Sequence, residues 1–326
     1  MKTFIQSTQL TAAILLSCAS GSVGTVSITA HDGHPSGASH VVANQLPPEP
    51  GRVQMETNST HRIIRSNGIP NHGVGQFPNR RNPNSIRAQN YTFRIPLNPQ
   101  KAARPVELNR QPWGIAINGV LFDPGTAEYW QGDRSGDWNY EALSGKVNLG
   151  LDSNHAHVQP NGAYHYHGLP TGLWKTLSMG KPGIHLLGWA ADGFPIYGPY
   201  AYQSPNDPGS PLIKMKSSYH LKPAPRASGP GGQPDGTFTA DYQYAHGSGD
   251  LDECGGRTGV TPEYPQGTYY YVLTEDYPFI PRFFRGEPDS SFRRRGPGAV
   301  PPRGQRQGPP IRGTGQGRRD PRRPRL

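Results

Sequence analysis

The segment "NHAHVQPNGAYHYHG", residues 154–168, concentrates imidazole side chains at four positions: His155, His157, His165 and His167. Neutral imidazole nitrogens bind zinc, copper, iron and nickel, and three of them are enough to hold an ion that keeps an open coordination position. This chemistry requires the rings to converge on one point. The local backbone therefore has to place both histidine pairs on one face.

The residues between the two pairs predict how they are placed. Gln159-Pro160-Asn161-Gly162 has the residues that a type I turn prefers, with a left-handed glycine that closes a three-residue hairpin loop. In that register His157 faces His165 and His155 faces His167, so all four rings project from one face. A two-residue turn at Asn161-Gly162 alone would separate the pairs. We predict a four-histidine site for copper or zinc; the alternative is four polar side chains on a half-exposed sheet.

Other candidate ligands have weaker patterns. His72 lies in a Gly-rich loop, His185 precedes an apolar run, and Cys254 would be a soft ligand if the hairpin came near it. Two acidic groups could bind calcium but lack the spacing of an EF-hand loop. They comprise Asp250, Asp252 and Glu253 in one group and Asp133 and Asp137 in the other. The alternatives are an exposed loop histidine for His72, a core-edge histidine for His185, an inert buried thiol for Cys254 and solvated turns for the acidic groups.

The strand signals predict the fold class. "QNYTFRIPLNP" alternates apolar and polar residues with a period of two, and no segment keeps a helical period. We expect a mainly β fold: a single sandwich- or barrel-like antiparallel domain with long Gly/Pro-rich loops. "GIAINGVLF" and "GWAADGFPIYGPY" match around Asn118-Gly119 and Asp192-Gly193, and "NGAYHYHGLP" matches "QGTYYYVLTEDYP". These matches predict a repeated hairpin.

The two ends of the chain differ from its centre. Residues 1–21 have the layout of an export signal, and "LLSC" resembles a lipobox in which Cys18 would be acylated; simple cleavage is the alternative. Residues 22–61 are interpreted as a polar spacer and 62–286 as the β domain. Residues 287–326 hold eleven arginines and three acidic residues, and so carry most of the formal net charge of +10. We expect this tail to be disordered; its arginines suit polyanions, and a solubilising, non-specific tail is the alternative. No apolar stretch is long enough for a transmembrane span.

Several motifs, in order, resemble those of the YHYH domain family: "NGIPNHGVGQFPN", "NHAHVQPNGAYHYHG", "GFPIYGPY" and "LDECGG". The resemblance spans residues 62–286 and implies an exported domain, without naming an activity. The first functional hypothesis is an extracytoplasmic metal-binding protein, secreted, periplasmic or lipid-anchored. A metal-dependent oxidoreductase or hydrolase is the second, with His157, His165 and His167 as ligands and Asp192 or Asp252 as base. An adhesion or matrix domain with structural histidines is the third.

Overall fold

The computed structural model of the chain describes residues 42–294. The predicted export signal, the lipobox cysteine Cys18 and the Arg-rich segment beyond residue 294 lie outside this range. Within residues 42–294, no helix has the length and apolar character needed to cross a membrane.

The described chain is mainly β, as predicted. Its strands are β1 (Val53–Thr57), β2 (His61–Ser66), β3 (Tyr91–Pro96), β4 (Lys101–Glu107), β5 (Gly114–Ala116), β6 (Leu121–Phe122), β7 (Ala156–Val158), β8 (Tyr164–Tyr166), β9 (Leu186–Ala190), β10 (Pro195–Tyr197), β11 (Tyr200–Tyr202), β12 (Leu212–Lys214), β13 (Tyr219–Leu221), β14 (Tyr242–Tyr244), β15 (Gly256–Thr261), β16 (Tyr264–Val272) and β17 (Phe283–Gly286). The α-helix α1 (Thr171–Ser178) and three short 3-10 helices, Trp130–Gly132, Thr239–Asp241 and Ser290–Phe292, complete the described elements.

The central element is an eight-stranded sheet with the order β15-β16-β10-β9-β5-β6-β8-β7. Most neighbours are antiparallel, but β6 pairs with β8 and β10 pairs with β16 in parallel. The sheet is therefore mainly antiparallel, as expected, with two parallel pairs of strands. Each parallel partner returns to the sheet after a long intervening segment, which local hairpin signals do not reveal.

The eight-stranded sheet consists of two equivalent halves. We call β5, β6, β8 and β7 the first half-sheet and β9, β10, β16 and β15 the second half-sheet. The halves meet at β5 and β9, where Gly114 pairs with Ala190 and Ala116 pairs with Gly188 in a self-complementary register. Outward from this junction the pairing directions are the same in both halves. The repeated hairpin predicted from the sequence is confirmed, and the repeat extends to the whole sheet.

The main core joins the eight-stranded sheet to the three-stranded sheet β1-β2-β3. Its buried members from these two sheets include Ile64, Phe93, Ile95, Ile115, Phe122, Tyr166 and Trp189. Burying side chains of this size contributes about 1.5–3 kcal/mol each to the stability of the fold. The same core therefore fixes the strands that carry the histidines.

Packed structure extends past both boundaries of the predicted β domain. Strand β1 lies within residues 22–61, the range interpreted as a spacer, and it pairs with β2 along its whole length. At the other end, Phe292 is buried and stacks on Phe93 with ring centroids 4.3 Å apart. Its neighbour Asp289 caps the short helix by accepting a hydrogen bond from the backbone of Ser291. The ordered domain thus begins before residue 62 and continues beyond residue 286.

Candidate metal centre

The hairpin formed by β7 and β8 carries the histidine cluster. His157 pairs with His165 across the two strands, which confirms the register predicted from the turn residues. Two backbone hydrogen bonds close the turn. The N–H of Gly162 donates to the carbonyl of Gln159, and the N–H of Gln159 donates to the carbonyl of Ala163. Gly162 has a φ of 89°, a left-handed conformation in which a side chain would be strained. Local chemistry therefore sets the pairing of the two histidine strands.

Three imidazole rings converge beside this hairpin: His157 on β7, His165 on β8 and His167 just after β8. The three ring centroids are 4.8 Å apart in every pair. The Nε2 atom of His167 lies 3.0 Å from Nε2 of His165 and 3.1 Å from Nε2 of His157. Because metal–nitrogen bonds are about 2.0–2.1 Å long, three nitrogens this close can share one ion with little movement.

The opposite edges of two of the three rings face backbone carbonyls. Nδ1 of His157 lies 2.9 Å from the carbonyl oxygen of Leu149, and Nδ1 of His165 lies 3.2 Å from that of Ala163. Within the described residues, Nδ1 of the buried His167 has no hydrogen-bond partner. An Nδ1–H group that donates to a carbonyl leaves Nε2 as a bare lone pair, which is the tautomer that a metal ligand needs.

Burial keeps these imidazoles neutral. His165 and His167 are almost fully buried and His157 is half-buried. Desolvation lowers the pKa of His157 and holds the pKa values of His165 and His167 well below the usual range; the neighbouring imidazoles lower the latter two further. Neutral histidine is the ligating form, so the site is ready to bind a cation at neutral pH.

His155 lies outside this group of three. Its backbone has a φ of 55°, in the left-handed region, and its Nδ1 lies 2.8 Å from the carbonyl oxygen of Leu169. The backbone N–H of His167 still donates to the carbonyl of His155, so the ladder continues to this pair. The reversed backbone angle, which the turn sequence does not reveal, directs the His155 ring to a different partner.

Two tyrosines on β8 point to the opposite side of the strand from His165. Tyr164 donates a hydrogen bond of 2.7 Å to Asp152 Oδ2, and the hydroxyl of Tyr166 accepts one of 2.9 Å from Asn118 Nδ2. The Nε2 atom of His72 lies 2.6 Å from the Tyr166 hydroxyl, so His72 contacts the back of the hairpin and not the triad. These contacts hold the histidine strand from behind.

The other candidate residues occupy separate places. Asp192 accepts a hydrogen bond of 2.5 Å from Tyr271, and Asp252 accepts one of 2.9 Å from Tyr269, so both carboxylates support the second half-sheet. His185 packs edge-on against Trp174. Cys254 is a buried free thiol whose pKa is raised by burial to about 12. None of these residues belongs to the group of three histidines.

The remaining acidic candidates lie in turns or on exposed surfaces. Asp133 is exposed and accepts hydrogen bonds from Ser135, and Asp250 accepts one from the backbone of Lys216. Asp137 and Glu253 are exposed on the wall of a cavity that also reaches the histidines. In the described part of the chain these acids do not combine into a cluster of three or more potential ligands.

His157 and His165 line a cavity of about 930 Å³. Its wall beside them includes Asp123, Gln159 and Arg294. Asp123 is buried, accepts a hydrogen bond of 2.8 Å from Gln159 Nε2 and forms an ion pair with Arg294. The histidine pattern in the sequence gave no indication of Asp123 and Arg294, because these two residues come from distant parts of the chain. An ion on the triad would thus be reachable by a small molecule.

Comparisons with known proteins identify the family of the chain. No curated protein and no solved structure shows significant similarity to it. The family model described as "YHYH protein" matches residues 92–286, which include both half-sheets and all three clustered histidines. The Tyr164-His165-Tyr166-His167 sequence on and after β8 is the motif that gives this family its name. The chain therefore belongs to the YHYH protein family.

Proposed function

We propose that this protein binds one transition-metal ion, zinc or copper, through the Nε2 atoms of His157, His165 and His167, in a compartment outside the cytoplasm. The observation that carries the proposal is the convergence of three Nε2 atoms, together with the backbone carbonyls that face Nδ1 of His157 and of His165. Such carbonyls orient histidine ligands in metal sites. The leader-like residues 1–21 support the compartment.

The second half-sheet argues against a purely structural role for the histidines. The pairing registers make Arg257, Tyr270 and Val272 the counterparts of His157, His165 and His167. The same strands therefore form without an imidazole at any of these three positions. Since the fold does not need histidine here, the convergence of three rings in the first half-sheet is better explained by a ligand.

A metal-dependent enzyme is the second candidate, and one observation favours it. Two of the three histidines line the 930 Å³ cavity, so the fourth coordination position of a bound ion would face a space of the size that small-molecule sites have. With three neutral ligands, a zinc ion keeps its charge and acidifies bound water. His157, His165 and His167 would hold the ion, and Asp123, which lines the same cavity, would be a candidate for accepting a proton from that water.

Titration of the metal-free protein with zinc and with copper, followed by calorimetry, tests the proposed site. We expect one ion per chain and a loss of affinity of at least about a hundredfold in His165→Ala and in His167→Ala, because two nitrogens hold an ion far less well than three. His155→Ala is the matched control: it removes an imidazole from the same hairpin but should change affinity by less than about threefold. Equal binding by wild type and both triad variants would contradict the proposal.

A further inference from the structure

The wall of the cavity carries nearly balanced charge before an ion is added. Five arginines line it: Arg81, Arg110, Arg134, Arg282 and Arg294. Four acidic residues also line it: Asp123, Glu128, Asp137 and Glu253. The three histidines add no charge when neutral, so a divalent ion on the triad would make the cavity clearly positive. In a partly enclosed space this charge favours an anionic ligand.

Two of these arginines are anchored by buried carboxylates. Arg282 pairs with the buried Glu141 and donates to the carbonyl of Pro124. Arg294 pairs with Asp123, which also accepts a hydrogen bond from Gln159, two residues after His157. Both guanidinium groups therefore line the same cavity as His157 and His165.

Arg294 has donors that a ligand could use. Its side chain is 51% exposed, whereas that of Arg282 is 14% exposed and has both terminal nitrogens engaged. A guanidinium has five N–H donors in one plane and binds carboxylate and phosphate groups through paired hydrogen bonds. The contact of Arg294 with Asp123 uses one terminal nitrogen. Among the described residues, Arg294 is thus anchored through one terminal nitrogen, and its other N–H donors are left for a ligand.

The buried carboxylate of the wall, like the triad, has no counterpart in the second half-sheet. The register makes Tyr197 the counterpart of Asp123, and its hydroxyl bonds to Thr261 and Glu263. The side chains packed around Tyr197 form an apolar cluster with Tyr270 and Val272. The fold therefore builds these strands without a buried carboxylate at this position. Asp123 and its arginine partner occur only in the half that carries the histidines.

We propose that the cavity binds a small molecule through an oxyanion group, a carboxylate or a phosphate, with one oxygen on the metal ion and another on the guanidinium of Arg294. This inference rests on the proposed metal site. It defines the ligand class: an oxyanion small enough to enter a cavity of about 930 Å³ and to reach His157 and His165 at its wall. Asp123 and Gln159 position the guanidinium and need not contact the ligand.

Calorimetry of the full chain with inorganic phosphate and with acetate tests this inference, with acetamide as a neutral analogue of acetate. Zinc content is measured before and after each titration. We expect at least one of the two anions to bind the zinc-loaded protein about tenfold or more tightly than the metal-free protein, and acetamide not to bind. The anion that binds identifies the oxyanion group.

Arg294→Gln should weaken anion binding by about tenfold or more, while Arg104→Gln, on an exposed arginine of β4 outside the cavity wall, should not. The Asp123→Asn/Arg294→Gln double variant should bind weakly too, since it keeps the local charge balance but lacks the guanidinium. Retained zinc without anion binding, or unchanged binding in these variants, would overturn the inference alone. Failure of the wild type to retain zinc would instead overturn the proposed metal site.

Discussion

The two half-sheets share their strand order and register, but they differ in what their side chains could bind. Tyr164 and Tyr166 correspond to Tyr269 and Tyr271, and in both halves these tyrosines are buried and bonded to polar side chains. The scaffold is therefore common to both halves.

The positions that carry the three histidines in the first half-sheet have different residues in the second. Where the first half-sheet has three converging histidines beside a cavity, the second has Arg257, Tyr270 and Val272. Arg257 contacts Met215, and the other two side chains are buried in an apolar cluster. One scaffold thus supports a candidate metal centre in one half and a packed core in the other. The comparison thus distinguishes the tyrosines, which both halves need for folding, from the histidines, whose presence in one half is best explained by ligand binding.

The largest expected effect comes from giving the first half-sheet the residue that the second one has. His167→Val copies Val272 and should reduce zinc and copper affinity by about a hundredfold or more, because it removes one of three ligands. The fold should remain, since valine already occupies the equivalent strand position. Calorimetry for the metal and thermal unfolding for the fold separate the two effects. Loss of the fold with valine would mean that His167 is structural after all.

A second difference between the halves concerns the residue that is hydrogen-bonded to the hydroxyl of Tyr166 or of its counterpart Tyr271. Asn118 bonds Tyr166 in the first half-sheet, whereas Asp192 bonds Tyr271 in the second. Burial raises the pKa of Asp192 to about 6. An unfolded aspartate titrates near pH 3.9, so between about pH 4 and 6 the folded chain holds a proton that the unfolded chain has released. This group therefore makes the free energy of unfolding fall as pH rises through that window.

Asp192→Asn should remove this dependence. Relative to wild type, the variant should gain up to about 3 kcal/mol in free energy of unfolding between pH 4 and pH 7, measured by chemical denaturation at a series of pH values. Asn118→Asp is the reciprocal variant and should lose stability over the same range, because it places a carboxylate in the equivalent buried position. Parallel pH profiles for wild type and Asp192→Asn would contradict the assignment.

The smallest expected effects test whether the scaffold is equivalent in both halves. Tyr164→Phe and Tyr269→Phe each remove a hydroxyl that donates to an aspartate, Asp152 or Asp252. Each change should lower the free energy of unfolding by about 1–3 kcal/mol, since it removes one hydrogen bond to a carboxylate oxygen that then keeps only its other donors. Neither should remove metal binding. A loss of metal binding in Tyr164→Phe without a loss of stability would show that the tyrosine belongs to the site and not to the scaffold.

The sequence predicted those features that short segments determine. Pro160-Asn161-Gly162 set the loop, and the loop set the pairing of His157 with His165. The matching segments around Gly119 and Gly193 revealed the repeat, because each forms the same tight hairpin with a left-handed glycine. Local turn chemistry is readable because it depends on a few adjacent residues.

Features that depend on distant segments could not be predicted in this way. The parallel pairing of β6 with β8 places Asp123 next to the histidine strand, and Arg282 and Arg294 arrive from the far end of the domain. The left-handed backbone at His155 is set by its surroundings and not by a glycine. A signal for Asp123 was nevertheless present: aligning the two repeats places it opposite Tyr197, a change of chemistry at a position that the scaffold shares.

X-ray absorption spectroscopy at the metal edge of the zinc- or copper-loaded protein tests the central claim most directly, because it counts the imidazoles around the ion. We predict three histidine nitrogens at about 2.0–2.1 Å in wild type, two in His167→Val if the ion is retained, and three in His155→Ala. A first shell made mainly of oxygen, or an unchanged number of imidazoles in His167→Val, would contradict the assignment of His157, His165 and His167 as the metal centre.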